Sequence, residues 1–141
     1  MEKSKKITMI VHSGDFDKVM SAFIVGNGFL SLGLEVTLFF TFWGLKTLQK
    51  NGFSNAPLSK MNMLGLGRKM INKRLKKHNV ASLEELARSF KDLGGKIIAC
   101  TMTMELLNIK KPDLREDLVD EYGTVGLYCV ESKNSEIHLF I

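Results

Sequence analysis

The chain has 141 residues, enough for one domain with a single sizeable core and no need of metal or disulfide staples. Hydrophobic residues make up 45% and charged residues 25%, a balance that excludes disordered, collagen-like and coiled-coil classes. Twenty Lys and Arg against fifteen Asp and Glu give +5, which admits an anionic partner without naming one.

In chain order, Lys5 and Lys6 precede a short apolar strand at residues 7–11. It ends in the polar turn His12-Ser13-Gly14-Asp15, suited to start a helix over residues 16–32. The uncharged run 19–34 is 16 residues long and contains Gly26, Asn27, Gly28 and Gly33. It falls short of the ~20 apolar residues a bilayer requires, so it reads as a buried helix. Its glycines lie within that helix and not at a strand-to-helix turn, which argues for close helix packing and against a dinucleotide fingerprint. Residues 35–40 form a second, β-branched and aromatic strand that ends near residues 41–44. Leu45, Leu48 and Gln49 predict a short helix stopped by Asn51-Gly52, and residues 53–59 read as a loop marked by Pro57.

Residues 60–78 hold seven Lys and Arg and no acidic residue, while the other thirteen basic residues of the chain face all fifteen acidic ones. The positive excess therefore belongs to one segment, a Met-rich basic insertion over 53–79 that should sit apart from the core. Met63, Leu66, Met70, Ile71 and Leu75 line one face of a helix there, with Gly65 and Gly67 weakening its start. Arg68, Lys69, Lys73, Arg74, Lys76 and Lys77 form a cationic surface suited to an acidic protein or to peripheral membrane contact. The alternative is a solvated basic loop. Nucleic acid is not expected, because the aromatics lie in core strands and do not interleave with the basic run.

Ser82-Leu83-Glu84-Glu85 has the spacing of a capping box and opens a helix to residue 93, closed by Gly94-Gly95. A third strand, 96–99, delivers Cys100 to the start of a short helix at 101–107. Pro112-Asp113-Leu114 begins another turn, residues 122–130 read as helix, and 137–140 close the chain as a last strand. Short apolar strands alternating with helices predict an α/β fold with a mostly parallel sheet and helices on both faces. In such folds ligands collect beyond the carboxyl ends of the strands. Residues 12–15, 41–44 and 100–104 should meet there.

Cys100 is the most specific chemical feature. Backbone N–H groups and the helix dipole at a strand-to-helix junction favour a thiolate, the nucleophile of sulfur and disulfide chemistry. A buried thiol acting only as packing has the same position. His12, on the same sheet edge, is placed to support the thiolate, or is simply a turn histidine. Cys129, mid-helix, reads as core filling. Two cysteines and no charged-then-apolar leader suggest reducing cytoplasm. No Cys-x-x-Cys is present, and His12, His78 and His138 share no ligand spacing with the cysteines, so neither a metal site nor a cofactor is expected. Met61, Met63, Met70, Met102 and Met104 suit a sulfur-lined pocket or a Cu(I) site, or ordinary packing.

The strings Met9-Ile10-Val11-His12-Ser13-Gly14-Asp15-Phe16-Asp17-Lys18, Phe39-Phe40-Thr41-Phe42-Trp43-Gly44-Leu45 and Ile98-Ala99-Cys100-Thr101-Met102-Thr103-Met104 resemble the DsrE/DsrF-like family, in its peroxiredoxin-labelled subgroup. Lys60-Met61-Asn62-Met63, the capping-box helix and Leu139-Phe140-Ile141 extend the similarity over nearly the whole chain as one domain, 1–141. The resemblance implies a flavodoxin-like three-layer fold, homo-oligomers, and relay of sulfane sulfur through a cysteine persulfide at Cys100. It leads to a cytoplasmic sulfur carrier or sulfurtransferase, with a small sulfur-carrier protein as partner. His12, Ser13, Thr101, Met102 and Met104 would shape the substrate crevice. The alternative is a non-catalytic oligomeric binding module with a strand-end anion or soft-metal crevice. A thiol peroxidase fits less well, since no Pro-x-x-x-Thr-x-x-Cys is present.

Overall fold

The structure, a computed structural model, describes residues 5–141. Five strands form one sheet: β1 (Lys6–Val11), β2 (Glu35–Phe40), β3 (Lys96–Cys100), β4 (Glu121–Gly123) and β5 (Ser135–Phe140). Their order is β4-β3-β2-β1-β5, and every pairing is parallel. Parallel strands need crossovers, supplied by α1 (Phe16–Ser31), α2 (Phe42–Lys46), α3 (Gly52–Asn55), α4 (Leu66–Lys77), α5 (Leu83–Asp92), α6 (Thr101–Leu106) and α7 (Val125–Ser132). The chain moves outward from β1 to β4 and then returns to add β5 on the other side of β1. The strand order thus reverses at β1, where open α/β sheets place their ligands.

The side-chain period of two divides the sheet into unequal faces. Met9, Val11, Leu38, Phe40, Ile97 and Ala99 point to the larger core with α1 and α5. Phe23 of α1 centres that core, with ring centroids 5.6 Å from Phe90, 6.0 Å from Phe40 and 6.1 Å from Phe53. Gly26 lets α5 approach: a Cβ there would stand 2.9 Å from the Phe90 ring, whereas Gly28 and Gly33 have nothing within 4 Å. The expected packing role therefore holds at Gly26 alone. The opposite face carries Ile10, Phe39, Ile98 and Cys100, in a small cluster closed by Leu127 and Tyr128 of α7.

Three local expectations are corrected. Residues 121–123 form β4, and α7 begins only at Val125; the short edge strand lacks the length to show an alternating pattern. Residues 52–55 make a helical turn where a loop was expected. The basic segment does not stand apart from the core, because Ile71 and Leu75 pack against it. Its glycines define the start of α4. Gly65 takes φ +94° as the residue before the helix, and a Cβ at Gly67 would fall 1.9 Å from the Met61 carbonyl.

Candidate functional site

The three segments expected at the strand ends do meet. Thr41 N–H donates to the Val11 carbonyl at 3.1 Å and Gly44 N–H to the His12 carbonyl at 2.9 Å, locking the β2–α2 turn against the β1–α1 turn. A Cβ on Gly44 would lie 2.2 Å from the Val11 oxygen, so only glycine fits this crossing. Thr103 of α6 completes the junction. Its buried Oγ1 stands 3.0 Å from Thr41 Oγ1 and accepts the Phe42 N–H at 3.0 Å. Neither threonine was singled out from the sequence, although both lie in the strings that carry the family resemblance.

Cys100 ends β3 and is the residue before α6, whose first-turn N–H groups begin at Thr101. It is 2% exposed, enclosed with Phe39, Ile98 and Tyr128. The Phe39 and Tyr128 rings lie 5.2 Å apart. α7 is held over this cluster by charge. Glu131 accepts hydrogen bonds from Lys6 Nζ and, at 2.8 Å, from Lys96 Nζ, and Lys96 also reaches Glu121 at 2.9 Å. The Lys6 and Lys96 ammonium groups hold the Glu131 carboxyl below its ordinary range despite partial burial. Burial pulls Lys96 down, but Glu131 and Glu121 outweigh it and leave Lys96 raised.

Several expected site residues stand elsewhere. His12 does not meet Cys100: β2 separates their strands, a span of roughly 10 Å at normal strand spacing. Its ring stacks between Phe42, at 5.0 Å, and Phe140, at 5.6 Å. Ser13 Oγ donates to Asp15 at 3.0 Å. Met104 is buried in the larger core; Met102 is exposed, and Thr101 half-buried. Cys129 is exposed, so the core-filling reading fails: in an eight-residue helix, Tyr128 takes the inward position and its neighbour points out.

On α4, Lys69, Lys73, Arg74, Lys76 and Lys77 are exposed as expected of a cationic surface. Arg68 is not part of it. It turns inward to donate to the carbonyls of Ala56 at 3.1 Å and Phe53 at 3.0 Å, and lies 3.3 Å from the Phe16 ring centroid. Burial lowers its pKa from the usual arginine value. Five apolar residues next to this stripe, Met61, Met63, Leu64, Leu66 and Met70, are exposed. Among the described residues, no helix is long and apolar enough to cross a membrane, and no three His, Cys, Asp or Glu side chains cluster as a metal site would require.

A model of the DsrE/DsrF/DrsH-like family matches residues 3–56 and 51–140. YrkE of Bacillus subtilis (strain 168) is 37% identical over 160 aligned positions, covering 99% of both chains. The sulfur carrier protein DsrE2 of Allochromatium vinosum is 29% identical with the same coverage. Two solved structures share the fold. The ychN protein from E. coli has a TM-score of 0.61 at 10% identity, covering 99% of this chain and 100% of that one. MTH1491 from Methanobacterium thermoautotrophicum has 0.62 at 11%, covering 96% and 99%.

Proposed function

The chain belongs to the DsrE/DsrF/DrsH-like family, and from that premise we propose that it is a sulfur carrier in which Cys100 holds sulfane sulfur as a persulfide and passes it to a partner thiol. The single observation that carries this reading is the position of Cys100, at the carboxyl end of a central strand and directly before the amides of α6. The similarity to a sulfur carrier protein over the full chain supports it. In the loading step the Cys100 thiolate attacks the outer sulfur of a donor persulfide. A Cys–S–S bond forms, the donor S–S bond breaks, and the donor thiolate leaves with the electron pair while the persulfide proton passes to solvent. Attack by the acceptor thiolate on the outer sulfur reverses the pattern, with no net oxidation.

Incubation with polysulfide followed by intact-mass analysis should show one added sulfur, removed by reductant. The adduct should persist in Cys129→Ser and vanish in Cys100→Ser. Labelling that survives Cys100→Ser overturns the proposal.

A second reading is favoured by the burial of Cys100: a binding module in which the thiol is packing. Alkylation of Cys100 only after denaturation would select it. In either case the reading includes self-association. One eight-residue helix covers the smaller sheet face, and Val125, Val130 and Phe140 remain exposed on or beside it. Light scattering would detect the oligomer. The exposed cations of α4 suit an acidic partner such as a small sulfur-carrier protein in a reducing cytoplasm; with the adjoining methionines they also suit an anionic bilayer, which flotation with acidic vesicles would reveal.

A further inference from the structure

A large cleft of the molecule does not contain Cys100. It measures about 920 Å³ and opens between the β1–α1 turn and the segment from α2 to α3, at the end of the sheet where strand order reverses. Two of the strings that carry the family resemblance meet in its wall, yet the persulfide reading gives them no chemical role. Gly14 sits so close to Trp43 that a Cβ would come 2.6 Å from the Trp43 carbonyl oxygen, which fixes one wall. Lys50 N–H donates to the Asp113 carbonyl at 3.1 Å and ties the opposite wall.

Three properties of this cleft define a ligand. Its volume falls within the ~300–1,000 Å³ that small organic ligands use, and a bare sulfur oxyanion would leave most of it empty. Its charge is unevenly engaged. Asp15 already accepts from Ser13 Oγ and pairs with Lys18 at 3.1 Å, and Asp113 accepts the Lys110 N–H at 2.7 Å. Lys46 and Lys50 line the cleft with no carboxylate partner among the described residues. Finally, Trp43 is 53% exposed in the lining, and Lys46 Nζ stands 5.9 Å from its ring centroid. An exposed indole beside uncompensated ammonium groups matches a planar ring joined to an anion.

We infer that this cleft binds a phosphate ester carrying a planar ring, of mononucleotide size, with Trp43 as the stacking surface and Lys46 and Lys50 as the phosphate contacts. The site is separate from Cys100 and stands whether or not that thiol carries sulfur. Trp43 is the only tryptophan of the chain, so its fluorescence reports the site directly.

The test is a fluorescence titration of the full chain with AMP, UMP and flavin mononucleotide, with inorganic phosphate and adenosine as single-component arms. At least one of the three nucleotides should quench Trp43 saturably, at least about tenfold more tightly than phosphate or adenosine, because each lacks one of the two contacts. The variant Lys46→Ala/Lys50→Ala should weaken binding by about tenfold or more, and Lys46→Arg/Lys50→Arg should restore it. Both lysines are exposed, and circular dichroism checks the fold. Cys100→Ser should bind unchanged, which separates failure of this site from failure of the sulfur reading. No saturation by any of the three at millimolar concentration, equal binding of phosphate or adenosine, or unchanged binding in the double alanine variant overturns the inference.

Discussion

The closure of α7 over Cys100 can be weakened at one residue. Glu131 is held by Lys6 and Lys96 with side chains only 18%, 21% and 34% exposed, so the pairs are screened less than surface ion pairs but are not fully buried. Replacing Glu131 with Gln removes the charge and keeps the shape. The amide oxygen can still accept from one ammonium, but the amide NH2 only donates and leaves the other ammonium without its acceptor; the loss, discounted for solvent, is about 1–2 kcal/mol. If α7 lifts as a local unit, that loss raises the open population roughly five- to thirtyfold, since ~1.4 kcal/mol is a factor of ten. The assay is the rate of Cys100 alkylation by iodoacetamide, followed by mass in a Cys129→Ser background so that one thiol reports. Glu131→Gln should label five to thirty times faster while a surface change such as Lys73→Ala leaves the rate unchanged. A labelling rate that stays constant while global stability falls would show that α7 is not the cover, and the reasoning would fail.

Other expectations follow from the same geometry. Gly44→Ala should destabilise by about 3 kcal/mol or more in denaturant unfolding, because the added Cβ meets backbone atoms that cannot turn aside. Gly28→Ala, in the same protein, should gain about 0.5–1 kcal/mol, since it lies in a helix interior with open space around it. Arg68→Ala should cost about 2–3 kcal/mol and increase proteolysis within residues 53–77, whereas Lys76→Ala should do neither. Glu84 and Asp117 are both held below their ordinary range, chiefly by hydrogen bonds from Arg115, whose own pKa they raise. Their stabilisation is therefore present above the unfolded carboxylate values of ~4 and is lost as pH falls through the lower folded ones. Unfolding midpoints should drop below pH 4, and less steeply in Arg115→Ala.

Much of the fold was legible because its signals are local. Strand 7–11, the helix from residue 16, the capping box at Ser82 and the strand into Cys100 all rest on residues within a few positions of one another. The capping box is complete, with Ser82 accepting from Glu85 N–H at 3.2 Å and Glu85 accepting from Ser82 N–H at 2.7 Å. The three-residue β4 was not legible, because a strand that short carries no period and owes its existence to pairing with Ile98, Ala99 and Cys100. Arg68 shows the same limit for charge. A run of cations reads as a solvated face, and only the tertiary fold brings two orphan carbonyls and the Phe16 ring to one of them.

By itself the sequence determined the α/β class, the family resemblance and the placement of Cys100 at a strand end, since hydrophobic period, caps and contiguous strings are written along the chain. The tertiary structure alone decided which groups share a space. It placed His12 between Phe42 and Phe140 and away from the thiol, put Cys129 outside, and closed Cys100 beneath Tyr128. It also joined the β1–α1 turn to Trp43, Lys46 and Lys50 in a cleft that the thiol does not line. The reason is the order of the strands: side chains at the ends of β1, β2 and β3 become neighbours or strangers by lateral position and by face, and neither can be read along a single chain.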